Sequence, residues 1–144
     1  MGSLWEDLNN QVPEYFGDIA REFSLEFLKV SPLKTALTKG DFAIIIYIDR
    51  FSAGLAYVLR DNKGRNIEYN CDNFFAEKYD AEDRIGLIKD ENKTAKEYII
   101  NDLIIMRNGL RNKFTYILEG DTTWIEEYRK SEWFSERVLR NNII

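Results

Sequence analysis

The chain predicts an α+β fold, with a three- to four-stranded antiparallel meander packed against N-terminal and C-terminal helices. Three observations carry that reading. Apolar residues at helical spacing open and close the 144-residue sequence, as an amphipathic helix requires. Its middle alternates as strands do, from Phe42 to Tyr69. Between two alternating runs stands Asp61-Asn62-Lys63-Gly64, a type I turn closed by a glycine suited to the left-handed region, the mark of a bulged hairpin. With no linker, repeat or low-complexity tract, residues 1–144 are expected to form one domain.

Element by element, Ser3-x-x-Glu6 matches a capping box with Leu4, Trp5 and Leu8 behind it. Pro13 suits the first turn of a second helix. Phe16, Ile19, Ala20, Phe23 and Phe27 then line one helical face, and Ser31-Pro32 is the expected stop, because the residue before proline leaves the α region. One further turn could run through Leu37. After the break at Lys39-Gly40-Asp41, Phe42 to Ile48 reads as a central strand with large side chains on both faces. Gly54 to Arg60 follows as a second strand, and Ile67 and Tyr69 mark a third.

Residues 70–93 read as irregular, polar and acidic, anchored by Phe74, Phe75 and Tyr79. Thr94-x-x-Glu97 is a second capping box, opening a helix whose apolar face runs from Ile99 to Leu110. Gly109 is expected to weaken that helix by about 1 kcal/mol relative to alanine. Phe114, Tyr116 and Leu118 alternate as a fourth strand would. Thr123-x-x-Glu126 is a third capping box, leading into a last helix or helix pair with Trp124, Ile125, Tyr128, Trp133, Phe134 and Val138, Ser131 being a cap between them.

Composition excludes more than it assigns. The chain has no histidine, so the usual general base and the commonest metal ligand are both missing. Cys71 is the one cysteine, so no internal disulfide or classical zinc site can form, and a semi-buried structural thiol is the expected role. Neither Gly-rich phosphate-loop pattern occurs, so no cofactor is expected. The start, Met1 to Glu6, lacks a basic segment and an apolar run. The longest apolar stretches fall short of the roughly 18–20 residues that cross a bilayer. Cytoplasmic residence without membrane contact is the expectation.

Charge points toward the partner. The net charge is −5, a field that repels phosphate backbones and attracts basic proteins. Between Asp72 and Glu91 lie seven acids against three bases. The expected function is therefore a small acidic protein-binding module, of the kind that neutralises a basic bacterial toxin or effector as an immunity protein does. Its expected contact residues are Asp72, Phe74, Phe75, Glu77, Tyr79, Asp80, Glu82 and Asp83. The bland alternative is a solvated acidic loop. Two other classes stay open: a carboxylate-dependent enzyme or ligand-binding domain, marked by two acids converging in an apolar cleft, and an accessory subunit, such as one half of a homodimer.

Overall fold

Among the described residues every strand pairs with its neighbour in sequence, building one six-stranded antiparallel sheet in the order β1-β2-β3-β4-β5-β6. The computed structural model describes residues 3–144. The strands are β1 (Glu26–Ser31), β2 (Lys34–Lys39), β3 (Phe42–Ile48), β4 (Ala53–Arg60), β5 (Asn66–Tyr69) and β6 (Glu136–Val138). Helices α1 (Leu4–Asn10) and α2 (Val12–Glu22) precede the sheet. Between β5 and β6 come α3 (Asp72–Ala76), a 3₁₀ turn (Ala81–Arg84), α4 (Ala95–Asn112), α5 (Thr115–Leu118) and α6 (Trp124–Arg129). The α+β class holds, but the sheet has six strands where three or four were expected, and three segments are reassigned.

The first reassignment lies at the end of α2. The helix stops at Glu22, not at Ser31, in a Schellman motif: Ser24 N–H bonds Arg21 O, and Leu25 N–H bonds Ala20 O. Ser24 takes the left-handed position, φ 56°, that glycine usually fills, so the sequence lacks the ordinary stop signal. Phe27 lands on β1 instead, opposite Leu37 and against the same core. Pro32 and Leu33 turn the chain into β2 rather than into a helical turn.

The second is the expected fourth strand. Residues 115–118 form the short helix α5, because Phe114, Ile117 and Leu118 are the buried side chains, a helical spacing that overrides the alternation. The third is the C-terminal region. Thr123 gives no side-chain cap; Asp121 instead accepts from Thr123 N–H. Ser131 closes a turn on Tyr128 O, and the chain then leaves as β6, where Val138 faces Ile67.

The capping-box signals at Ser3 and Thr94 are realised to different degrees, unlike the one at Thr123. Thr94 and Glu97 make both bonds of the capping box, while Ser3 makes one, accepting from Glu6 N–H. Gly64 is left-handed, φ 78°, with its N–H on Asp61 O.

One sheet face packs on the helices through Leu37, Ile44, Ile46, Leu55 and Tyr57 against Phe16, Ile99, Phe75 and Trp124. The other carries Ala36, Ala43, Ile45, Ala56 and Val58, and is covered by Leu139, Ile143 and Ile144 of the returning chain. Asn66, fully buried, ties that chain down: its side chain accepts from Ile143 N–H and Ile144 N–H and donates to Ile144 O. Among the described residues no helix is long and apolar enough to cross a membrane.

Candidate functional site

Strand β4 is twice as long as β5, which pairs only with Tyr57 to Arg60. The first half of β4 therefore has N–H groups with no ladder partner, and buried N–H groups must find one. Two aspartates supply it. Asp102 Oδ2, on α4, accepts from Ala53 N–H at 2.9 Å; Asp72 Oδ1, at the start of α3, accepts from Leu55 N–H at 3.0 Å. Each carboxylate replaces one missing strand bond and is drawn to the sheet edge.

Between them opens a cavity of about 270 Å³, also lined by Tyr47, Asp49, Tyr79 and Arg84. Burial pushes the Asp72 carboxyl up to about 6; the Leu55 N–H opposes this, and the neighbouring Asp102 charge adds to it. Burial raises Asp102 too, against the bond from Ala53. Among the described residues neither aspartate has an ion pair. Arg84, at the rim, turns its guanidinium to Asp80 O at 3.2 Å.

Two glycines make room for the aromatic walls. The Tyr47 ring lies on Gly54, where a Cβ would stand 2.3 Å from the ring. Tyr79 packs on Gly109 of α4 in the same way, again at 2.3 Å. The helix-weakening glycine is thus a seat for Tyr79. Burial raises both phenols above their ordinary range, and the Tyr79 hydroxyl is sealed from solvent with no hydrogen-bond partner.

The segment beyond the cavity is ordered by α4. Asn101, Asn108 and Asn112 share one helical stripe. Asn101 brackets Ile88 with two bonds, Asn108 donates to Asp83 O and Ile85 O, and Asn112 donates to Asp83 Oδ1. Held this way, Ile85 is 70% exposed and Tyr98 47% exposed, beside a groove continuous with the cavity through Arg84, Asp102 and Ile105. On the opposite flank, within the Asp49–Ser52 turn, Phe51 is 63% exposed next to Arg50, whose carbonyl accepts from Trp5 Nε1.

The eight residues expected as contacts scatter. Asp72 and Tyr79 line the cavity. Phe74 and Phe75 are core side chains against Trp124 and Tyr128 or Phe114, so their rings are not surface anchors. Asp83 is fully buried: burial alone would raise its pKa, but Lys113, Asp80 N–H and Asn112 hold it below the usual carboxylate range. Asp80 caps the 3₁₀ turn and shares Lys113. Glu77 accepts from Trp133 Nε1, and Glu82 is exposed.

Sequence reasoning missed Tyr47, Asp49, Arg84 and Asp102. Asp102 carried a signal: it stands three residues after Ile99 and four before Met106, a carboxylate on the apolar face of α4. Cys71 is buried rather than semi-buried, and burial, with Asp72 beside it, holds its thiol protonated. Among the described residues no three His, Cys, Asp or Glu side chains gather as a metal site. Comparison of the chain with protein-family models, curated proteins and solved structures finds no match.

Proposed function

We propose that this protein is a protein-binding module whose contact surface is the Asp49–Ser52 end of the sheet. The reading makes it a cytoplasmic, immunity-type inhibitor that neutralises a basic toxin or effector by direct association. One observation carries it: two aspartates without a counter-ion share a cavity flanked on both sides by exposed apolar side chains. Charge at the centre steers a cationic partner, and aromatic and aliphatic side chains around it exclude water once docked. The net charge of −5 works in the same direction at longer range.

The test is capture of host proteins on the immobilised chain, compared with an Asp72→Asn/Asp102→Asn variant. The expected result is one basic protein held near stoichiometry, with an association rate that drops as salt is raised and with capture lost in the variant. A column that retains nothing, or a partner held equally by the variant, overturns the reading.

A second reading has its own observation. A carboxyl raised to about 6 beside a second raised carboxyl is what an acid–base pair needs near neutral pH. That enzyme would show turnover abolished by Asp72→Asn and a bell-shaped pH profile, neither of which a stoichiometric inhibitor shows.

A further inference from the structure

We infer that residues 139–144 are an exchangeable arm, and that the sheet face beneath them is a docking surface for the same arm of a second copy of this chain. The arm lies on the face turned away from the helices. It forms no helix or strand, and Leu139, Ile143 and Ile144 cover Ala36, Ala43, Ile45, Ala56 and Val58. None of these residues belongs to the helix-side core, so the arm can lift as a local opening while the larger cluster stays packed. Its hydrogen bonds converge on the start of β5 and the turn before it. Asn66 Oδ1 accepts from Ile143 N–H and Ile144 N–H at 2.6 and 2.9 Å, its Nδ2 donates to Ile144 O at 3.1 Å, and its backbone O accepts from Leu139 N–H. Asn142 adds two more there, accepting from Asn66 N–H and donating to Gly64 O.

Open space on both sides leaves the arm unwalled. A groove of about 280 Å³ lies between residues 141–143 and residues 28–30 of the edge strand β1, and a cleft of about 490 Å³ continues along the same face past Ile45, Ala56 and Arg137. The arm joins the body through β6, whose three side chains are exposed, and through Arg140 and Asn141, both exposed. Lifting it bares five apolar side chains and strips the fully buried Asn66 amide of its partners, and buried polar groups in native folds rarely go unpaired. Each opened copy therefore frees one arm and one face shaped for that arm. A second opened copy complements both and restores every contact in trans, and exchange of identical elements is a low-cost route to a dimer. Within one chain the short connection holds the arm at an effective concentration on the order of millimolar, so closing in cis masks the surface at micromolar concentration.

The test spoils the arm and the face in separate full chains. Leu139→Ser/Ile143→Ser/Ile144→Ser keeps the face and spoils the arm; Asn66→Ala keeps the arm and spoils the face. Thermal melting checks that both stay folded. With the two mixed at about 100 μM, native mass spectrometry should show a heterodimer at least about tenfold more abundant than the wild-type dimer, because closing in cis is lost in both chains. Each variant alone should stay monomeric. A second measurement does not rely on the folding of Asn66→Ala. A synthetic peptide of residues 136–144, titrated into the arm-spoiled chain, should shift the amide resonances of Ile45, Ala56 and Val58 to saturation, and a scrambled peptide of the same composition should not. A mixture of folded variants without heterodimer, or an arm-spoiled chain that dimerises as well by itself, overturns the exchange. A peptide that fails to saturate, or a scrambled one that binds equally, overturns the docking surface.

Discussion

Asp72 sets a pH dependence whose sign follows from its surroundings. Its carboxyl titrates near 6 in the fold, against an ordinary value of 3.8, so the folded state holds its proton more tightly. Stability from this group is therefore full below the unfolded value and is lost as pH rises from about 4 through about 6. The penalty above that is roughly 2 kcal/mol once partial solvent access is allowed for. Asp83 acts oppositely: its depressed titration contributes stability above the unfolded value that is lost as pH falls below it. The two windows separate. Melts from pH 4.5 to 7.5 should show the wild type losing stability and Asp72→Asn losing much less, with the variant the more stable at pH 7.5. Wild-type melting temperatures that rise over that range would contradict this. Gly109 gives a second residue-level expectation. Helix propensity favours Gly109→Ala by about 1 kcal/mol, but the new Cβ meets the Tyr79 ring at 2.3 Å. Overpacking should win, with a net loss of about 1–2 kcal/mol in denaturant unfolding, partly restored by adding Tyr79→Ala.

At the scale of elements, the segment after β6 is held less by its own strand than by Asn66. Strand β6 has three residues, all with exposed side chains. The Asn66 amide supplies three hydrogen bonds to Ile143 and Ile144, and its backbone O accepts from Leu139 N–H. Asn66→Ala should cost about 2–4 kcal/mol, because buried backbone groups lose their partners. Hydrogen exchange at the amides of Ile143 and Ile144 should speed up far more than in α4. Uniform acceleration across the molecule would show that Asn66 serves the whole core and not this segment. The start of α4 is a smaller case. Thr94→Ala removes one side of a complete capping box and should cost about 1 kcal/mol.

For the whole molecule the open question is association of like chains. β1 is an edge strand of six residues with Leu28 exposed, the kind of edge that recruits another strand. Lys29 lies in the middle of it and the register shifts between Lys29 and Ser31, and a charge and a bulge are both devices that block edge pairing. The wild-type chain is expected to sediment as a monomer at micromolar concentration, and Lys29→Val to self-associate. A wild-type dimer would revive the accessory-subunit reading.

What the sequence determined by itself was whatever depends on neighbours along the chain. The Asp61–Gly64 hairpin, the Thr94–Glu97 cap and the two-faced β3 each rest on a few adjacent residues, and the lack of histidine is read from the composition alone; all were legible, although the equally local Thr123 signal is not realised as a cap. The tertiary structure decided the rest. Ser24 ends α2 without a glycine, at a backbone position a serine tolerates only because the fold holds it there. Residues 114–118 follow a helical burial pattern because Phe114 packs on Phe75, contributed by α3. The acidic segment appeared to be one patch, but the fold buried Asp83, spent Asp80 on Lys113 and kept Asp72 for the cavity. Its partner there, Asp102, comes from thirty residues further on. Charge along a sequence adds up locally, whereas a site depends on which carboxylates the fold leaves together without a counter-ion, and only packing between distant segments settles that.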